Sequence, residues 1–216
     1  GPLVARLGEA SVAMPGGCNI GPRRIDFHLR GLEKLGASIE IEHGFIKVAC
    51  EQLRGAVVSL DYPSVGATEN LLMAATAAEG ETVIENAARE PEIVDLCDFL
   101  RAMGAVIDGA GGSSIRVEGG HPLHGAEHTV VADRIEAGTY LIMAAATGGD
   151  VSAHGLDPLH LELFLSKLVE MGVTVDTGDH RIRVRREGRL ASVDVATLPH
   201  PGFATDLQAQ MMVLLT

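Results

Sequence analysis

Apolar residues recur at helical spacing in three segments that echo one another. The glycines that close these segments lie at positions 36, 104 and 172, two equal steps of 68 residues. The segments read Leu32-Glu-Lys-Leu-Gly36-Ala, Leu100-Arg-Ala-Met-Gly104-Ala and Leu168-Val-Glu-Met-Gly172-Val, and Ile25, Ile93 and Leu161 keep the same step upstream. This pattern predicts three equivalent helices, each ending at a glycine suited to the C′ position.

Runs with a period of two follow each glycine and predict short antiparallel strands. The runs are Ser38–Ile41, Phe45–Val48, Val106–Asp108, Ile115–Val117, Val173–Val175 and Ile182–Arg186. A second helix rich in Ala, Leu and Met is predicted at Gly66–Ala78, at Ile135–Ala146 and from Thr205 onward. The repeating unit is therefore strand, helix, strand, helix and a strand pair, in an α/β fold. One unit exposes an apolar helix face, so copies must stack, three to a domain.

A glycine-rich segment, Met14 to Arg24, precedes the first helix and carries Cys18. Glycines let the backbone turn sharply and let a ligand approach. A helix predicted to begin near Arg23 would add free N–H groups and a favourable dipole for an anion, and it would lower the thiol pKa. The alternative is an idle or buried cysteine in a turn. The 68-residue step places Cys18 opposite Asn86 and His154, so we expect the loop before the first helix to recur in each copy. Only one copy then carries a thiol, which favours chemistry over packing.

Composition excludes several classes of function. The 216 residues are 46% hydrophobic, and 17 Lys and Arg against 29 Asp and Glu give a net charge of −12. This acidity argues against a nucleic-acid or anionic-membrane surface. No apolar run approaches a membrane span and no basic leader precedes an apolar segment, so we expect a cytoplasmic protein.

Cysteines and histidines give no sign of a disulfide framework, a metal site or a cofactor. The three cysteines are scattered, and we expect Cys50 and Cys97 to be packing residues. Nine histidines include His121, His124 and His128, but these lack a regular ligand spacing.

Both ends of the chain predict a fragment of a longer protein. Gly1-Pro2-Leu3 lacks an initiator methionine, and the apolar run that ends at Thr216 reads as a helix without a stop signal.

Five blocks, in this order, resemble the UDP-N-acetylglucosamine 1-carboxyvinyltransferase family. They are Pro15-Gly-Gly-Cys-Asn-Ile-Gly-Pro-Arg23, Ser64-Val-Gly-Ala-Thr68, Glu85-Asn-Ala-Ala-Arg-Glu-Pro-Glu-Ile-Val-Asp95, Asp133-Arg-Ile-Glu-Ala-Gly-Thr139 and Phe203-Ala-Thr-Asp-Leu-Gln-Ala-Gln210. The resemblance implies transfer of enolpyruvate from phosphoenolpyruvate to the 3-hydroxyl of UDP-N-acetylglucosamine, the first committed step of peptidoglycan synthesis. It also implies two domains, each an inside-out α/β barrel of three repeats, with the active site in the cleft between them and no cofactor.

The resemblance assigns roles to single residues. Cys18 corresponds to the cysteine that protonates C3 of the enolpyruvyl group and can form a phospholactoyl adduct. Asp206 corresponds to the carboxylate that takes the proton of the sugar 3-hydroxyl. Arg23 corresponds to an arginine that contacts phosphoenolpyruvate and the nucleotide sugar. Substrate binding is further implied for Arg24, Ile25, Asp26, Phe27, Tyr62, Pro63, Ser64, Val65, Gly66 and Thr205. Without the resemblance, Ser64 is an ordinary helix cap and Asp206 a helix N-terminal acid.

The resemblance also divides the chain and leaves alternatives. Residues 1–131 would hold the last two repeats of the first domain, and residues 132–216 the first repeat and part of the next of the second. Arg24, Phe27, Tyr62, Pro63 and Ala204 depart from the family pattern and are the support for a non-catalytic paralogue with the same fold. A third possibility is a shikimate 3-phosphate carboxyvinyltransferase relative, against which Cys18 argues because that relative lacks the Gly-Gly-Cys segment.

Overall fold

The computed structural model describes residues 1–14 and 25–216, and these residues form two compact units. The first unit runs from Gly1 to Thr129 and the second from Val130 to Thr216. Each unit has its own hydrophobic core. Within the described residues, no helix has the length and apolar character needed to span a bilayer. The assignment of residues 1–131 and 132–216 to particular repeats of two domains stays a prediction, because compactness alone does not identify repeats.

The first unit contains four helices and seven strands among its described residues. In chain order these are α1 Pro2–Leu7, β1 Glu9–Ala13, α2 Asp26–Lys34, β2 Ser38–Glu42, β3 Phe45–Ala49, β4 Val57–Ser59, α3 Val65–Ala75, β5 Gly80–Glu85, α4 Pro91–Ala102, β6 Val106–Asp108 and β7 Ser114–Gly119. The second unit contains α5 Arg134–Thr147, β8 Asp150–His154, a 3-10 turn Pro158–Leu161, α6 Glu162–Glu170, β9 Thr174–Gly178, β10 Arg181–Arg185, a 3-10 turn Thr205–Leu207 and α7 Gln208–Leu214.

The described residues form three sheets that share one topology. Their strand orders are β1-β3-β2, β5-β7-β6 and β8-β10-β9, antiparallel throughout, and β4 adds a parallel strand beside β5. From Val57 to Gly119 the order is strand, helix, strand, helix and strand pair. The predicted repeating unit is therefore confirmed in full once, and parts of it recur on either side.

The three marker glycines lie at equivalent helix ends, as predicted. Gly36, Gly104 and Gly172 have φ of 96°, 105° and 89°, a region that side chains with a Cβ rarely adopt. In each case the residue after the glycine donates its N–H to a carbonyl five residues earlier: Ala37 to Leu32 at 3.0 Å, Ala105 to Leu100 at 2.9 Å and Val173 to Leu168 at 3.0 Å. This is the hydrogen bond of a Schellman motif, which returns the chain from the helix to the strand pair.

The predicted helix faces are buried. Leu32, Leu100 and Leu168 are 3%, 6% and 0% exposed, and each lies in the core of its unit. Burying a leucine side chain contributes about 1.5–3 kcal/mol relative to leaving it in water. The repeated leucine thus fixes which face of each helix covers its sheet.

Several predicted boundaries differ from the structure. The helix of the second block begins at Val65 and ends at Ala75, three residues before the predicted end. The helix predicted from Thr205 begins as a 3-10 turn and becomes α-helical only at Gln208. A 3-10 turn also precedes α6. Caps and 3-10 turns satisfy the first N–H groups of a helix locally, so apolar spacing does not locate them.

The prediction that His154 occupies a loop opposite Cys18 is wrong, because His154 is the last residue of β8. The connection before the helix comprises residues 86–90 in the second copy, whereas in the third copy residues 155–157 lead from β8 into the 3-10 turn before α6. The strand of the third copy therefore extends closer to its helical segment than the strand of the second copy does. Constant helix spacing conceals this difference, since the loops elsewhere in the repeat compensate for it.

Alanine substitution at the marker glycines tests the shared helix ends. We expect Gly36→Ala and Gly172→Ala to lower the free energy of unfolding by about 1–2 kcal/mol each, because positive φ is costly for a residue with a Cβ. Gly104→Ala should cost more, since its Cβ would lie 3.3 Å from the Pro122 carbonyl oxygen. Gly125→Ala is the control: φ there is not positive and no atom lies within 4 Å. Urea titrations in which Gly125→Ala matches the other three variants would contradict this account.

Candidate functional site

The structure places the predicted site residues in three groups. Cys18, Arg23 and Arg24 lie outside the described residues. In the first unit, Ile25, Asp26 and Phe27 form the start of α2, and the segment from Tyr62 to Gly66 leads into α3. In the second unit, Thr205 and Asp206 lie in the 3-10 turn before α7 and are both exposed.

Helices α2 and α3 pack closely with their N-termini at the same end. A Cβ on Gly31 would lie 2.4 Å from Cδ2 of Leu71, so only glycine permits this approach. Near the helix starts, a Cβ on Gly66 would lie 3.6 Å from Cε1 of His28. Because both the early and the middle residues of the two helices face each other, the helices run in the same direction. The structure therefore brings together the two predicted substrate-binding segments of the first unit, Ile25–Phe27 and Tyr62–Gly66.

Ser64 caps α3, as the local reading of the sequence predicts. Its Oγ accepts a hydrogen bond from the Ala67 N–H at 3.3 Å, and its carbonyl oxygen accepts from the Thr68 N–H at 2.9 Å. The N–H groups of Val65 and Gly66, in the first turn of α3, have no intrahelical acceptor, and Gly66 is exposed. An anion at this end would meet free donors and the positive ends of two helix dipoles.

Arg30 links these two segments, and inspection of the sequence did not identify it. Its Nη2 donates to Oδ2 of Asp26 at 3.0 Å and to Oδ2 of Asp61 at 2.9 Å. Its guanidinium carbon lies 5.3 Å from the centroid of the Phe27 ring. The four-residue spacing of Asp26 and Arg30 is readable as a helical ion pair. The contact with Asp61, 31 positions away, has no signal in the sequence.

His28 adds no charge to this end of the helices near neutral pH. Its pKa is lowered, chiefly by burial and secondarily by the amino terminus, while Asp26 acts in the opposite direction. A group with a lowered pKa keeps its neutral imidazole at pH 7. Near neutral pH, positive charge at the start of α2 is therefore supplied by the Arg30 guanidinium, which pairs with Asp26, and not by His28.

In the second unit, α5 positions the turn that carries Asp206. A Cβ on Gly138 would lie 2.8 Å from Cδ1 of Leu207, which is fully buried. Next to it, the Gln210 amide donates to Oγ1 of Thr139 at 2.9 Å, and that hydroxyl donates to the Ile135 carbonyl at 2.8 Å. These contacts join two blocks of the sequence and hold Asp206 at the surface. The family resemblance identifies both blocks, but the sequence does not predict the contact between them.

The ends of these two blocks are also fixed locally. Asp133 caps α5 by accepting from the N–H groups of Ile135 at 2.8 Å and Glu136 at 3.0 Å. Before the Asp206 turn, Phe203 is 1% exposed and packs edge-on against Phe164, with ring centroids 6.1 Å apart. The turn that carries the exposed Asp206 carboxylate is therefore held by buried, well-packed residues.

Cys50 and Cys97 are packing residues, as predicted. Cys97 is fully buried in α4, and burial raises the pKa of its thiol to about 11. Cys50 is partly buried against the core, and its Sγ lies 3.3 Å from the Gly36 carbonyl oxygen. Across residues 1–14 and 25–216, no group of three or more His, Cys, Asp or Glu side chains is arranged to hold a metal ion.

A test of the α5 contact uses Gly138→Ala. We expect the added methyl to overpack against Leu207 and to lower the free energy of unfolding of the second unit by about 1–3 kcal/mol. Gly188→Ala is the control, because nothing lies within 4 Å of a Cβ there and φ is not positive. Leu207→Ala should cost less in the Gly138→Ala background than alone, since it relieves the clash. Additive effects in a double-mutant cycle would show that the two residues do not contact each other.

Comparison with known proteins identifies the family. The profile of EPSP synthase (3-phosphoshikimate 1-carboxyvinyltransferase) matches residues 1–216. The chain is 55% identical over 215 residues to UDP-N-acetylglucosamine 1-carboxyvinyltransferase 3 of Caldanaerobacter subterraneus, and 54% identical over 217 residues to UDP-N-acetylglucosamine 1-carboxyvinyltransferase of Magnetococcus marinus. Each alignment covers 100% of this chain and 52% of the relative. The chain thus spans about half the length of the curated relatives it matches.

Solved structures confirm the predicted enolpyruvyl transferase fold. The enolpyruvyl transferase NikO from Streptomyces tendae matches with a TM-score of 0.84 at 23% identity, over 99% of this chain and 52% of NikO. EPSP synthase from Acinetobacter baumannii matches with a TM-score of 0.60 at 25% identity, over 89% of this chain and 46% of that structure. Closure into inside-out barrels stays a prediction. The resemblance to UDP-N-acetylglucosamine 1-carboxyvinyltransferases is confirmed, and the chain belongs to the EPSP synthase (3-phosphoshikimate 1-carboxyvinyltransferase) family.

Proposed function

We propose that the full-length gene product transfers enolpyruvate from phosphoenolpyruvate to the 3-hydroxyl of UDP-N-acetylglucosamine and releases phosphate, in peptidoglycan synthesis. The observation that carries this proposal is identity of about 55% along the whole chain to relatives named for that activity. A cytoplasmic location and the absence of a cofactor belong to the same proposal. The substrates are small molecules.

Addition of the sugar hydroxyl to phosphoenolpyruvate requires two proton transfers, one from the attacking oxygen and one to C3. Asp206 takes the proton of the sugar 3-hydroxyl as its oxygen bonds to C2 of phosphoenolpyruvate, while Cys18 delivers a proton to C3. In the second step C3 loses a proton, the bond between C2 and the phosphate oxygen breaks, and phosphate leaves. The exposure of Asp206 on a packed turn supports this role, because a base must reach its substrate from a fixed position.

Nucleotide binding is assigned to the adjacent starts of α2 and α3. The exposed Gly66 and the free N–H groups at the start of α3 suit a diphosphate, with no side chain in the way. Asp26, Phe27 and the segment from Tyr62 to Val65 surround this point in sequence and supply hydrogen bonds and apolar contact to the nucleoside. Arg23 and Arg24 directly precede Ile25 and would add positive charge for phosphoenolpyruvate and the nucleotide. We assign this subsite and Asp206 to the same substrate.

Phosphate release distinguishes this proposal from its alternatives. The full-length protein should release phosphate from phosphoenolpyruvate with UDP-N-acetylglucosamine as acceptor and not with shikimate 3-phosphate. Activity with shikimate 3-phosphate alone would support the other branch of the family. A folded protein that releases phosphate with neither acceptor would support a non-catalytic paralogue, for which Arg24, Tyr62, Pro63 and Ala204 are the candidate causes.

We expect the isolated 216-residue chain to show no measurable turnover. The chain spans about half of its relatives, and the resemblance assigns further phosphoenolpyruvate ligands to segments outside it. Misplacement of substrate by about 1 Å already costs on the order of 10²-fold in rate. The measurement is phosphate release by the purified chain, with the full-length protein as the positive control. Turnover by the isolated chain would show that the essential residues lie within it.

The thiol assignment predicts which cysteine reacts in the full-length protein. An epoxide analogue of phosphoenolpyruvate, of the fosfomycin kind, should alkylate Cys18, faster with UDP-N-acetylglucosamine present, and stop turnover. With a pKa of about 11, only on the order of one Cys97 in 3,000 is a thiolate at pH 7.5. Cys18→Ser should lose the adduct, whereas Cys18→Asp should keep turnover and escape the epoxide, since a carboxylic acid can donate a proton.

Peptide mapping after epoxide treatment decides this assignment. Cys50 and Cys97 are the internal comparison, because they have the same chemistry in partly and fully buried surroundings. If the epoxide labels Cys50 or Cys97 first, or if Cys18→Ala turns over normally, then Cys18 does not act in the mechanism.

A further inference from the structure

We propose that Arg30 is a positioning residue of the nucleotide-sugar subsite: it fastens the segment that leads into α3 to the start of α2. This inference rests on the proposed function, because it concerns the substrate assigned to that subsite. None of the family blocks contains Arg30. Its partners are Asp26, at the start of α2, and Asp61, which directly precedes the segment Tyr62–Gly66, and both segments are assigned to the nucleotide sugar.

The geometry joins two elements that are distant in sequence. Asp26 is the first residue of α2, and Asp61 lies in the segment between β4 and α3, three residues before the Ser64 cap. One nitrogen of Arg30 lies within 3.0 Å of a carboxylate oxygen of each. The guanidinium also lies over the Phe27 ring at 5.3 Å, which restricts its orientation. A single side chain thus fixes the distance between the α2 start and the approach to the α3 start.

Charge gives Arg30 a second effect on the same subsite. Asp26 and Asp61 share one cationic partner, so their carboxylates lie close to each other, near the end of α3 where a diphosphate would bind. Removal of the guanidinium would leave two carboxylates that repel each other and repel an approaching anion. His28 cannot replace the lost charge near neutral pH, because its pKa is lowered. Both effects predict weaker nucleotide binding without a change in the chemical step.

The contribution of Arg30 to folding is small, which makes its role in binding measurable. The side chains of Arg30, Asp26 and Asp61 are 53%, 43% and 70% exposed. Exposed ion pairs contribute little to the stability of a protein. The Arg30→Met variant should therefore fold normally. Methionine lacks the charge and the planar guanidinium of arginine but keeps much of its apolar stem. Arg30→Lys keeps the charge without the planar guanidinium.

A matched control is Arg116→Met in the same unit. Arg116 is 56% exposed and pairs with Glu81 at 2.7 Å across β5 and β7, so it shares the exposure and the pairing of Arg30. It does not touch either predicted nucleotide-binding segment through any hydrogen bond or ion pair that it makes among the described residues. Any effect common to both variants would reflect the loss of a surface ion pair in general.

The test measures steady-state kinetics of the full-length protein with each substrate varied in turn. Arg30→Met should raise KM for UDP-N-acetylglucosamine about tenfold, with kcat and KM for phosphoenolpyruvate changed less than about twofold. Arg30→Lys should recover part of the loss, and Arg116→Met should match the wild type. An unchanged nucleotide KM in Arg30→Met, or equal rises in both KM values, would overturn the proposal.

Hydrogen exchange provides a readout that does not depend on enzyme activity. In the 216-residue chain, Arg30→Met should speed amide exchange in the peptide that covers residues 61–67, and Arg116→Met should not. If the full-length protein transfers enolpyruvate to no acceptor, the proposed function fails, and this measurement still decides whether Arg30 holds the segment. Identical exchange in wild type and Arg30→Met would show that it does not.

Discussion

The turn at the end of each repeated helix is the constraint on which the rest of the fold depends. Gly36, Gly104 and Gly172 all have positive φ, and each turn closes through a hydrogen bond from the next residue back into the helix. The turn directs the chain into a strand pair, and the buried leucine five residues before that donor sets the helix face that covers the sheet. Once the C-terminus and the buried face of α2 are fixed, the position of its N-terminus follows. The proposed nucleotide subsite lies at that N-terminus.

Close contacts between helices then position the proposed site residues on the repeated scaffold. Gly31 admits Leu71 between α2 and α3, and Gly138 admits Leu207 between α5 and the Asp206 turn. In both places a missing Cβ lets a segment assigned to substrate pack against a neighbouring helix, where hydrogen bonds add orientation: Arg30 with Asp61, and Gln210 with Thr139. The packing is apolar, while Gly66 and Asp206 remain exposed. Apolar packing below and exposed polar groups above are expected where a scaffold must hold site residues in place.

The sequence predicts the repeat but not the contacts between its elements. Periodicity located the helix that ends at Gly104 and the strand pair after it, because burial of one face leaves a regular trace. Periodicity did not predict that the last helix starts as a 3-10 turn at Thr205, because local capping leaves no regular pattern of apolar residues. The pairing of Arg30 with Asp61 joins positions 31 apart, and a single sequence contains no signal for it. The roles of Cys18 and Asp206 came from resemblance to a family, and spacing alone would not have assigned them.

The central claim is that the starts of α2 and α3 bind the nucleotide of UDP-N-acetylglucosamine and that Asp206 takes the proton of the sugar 3-hydroxyl. The most direct measurement is a crystal structure of the full-length protein with UDP-N-acetylglucosamine bound. We predict a diphosphate oxygen within hydrogen-bond distance of the Gly66 N–H and an Asp206 carboxylate oxygen about 2.6–3.2 Å from the sugar 3-hydroxyl. A nucleotide bound away from the start of α3, or a 3-hydroxyl that faces a different base while Asp206 remains in solvent, would contradict the account.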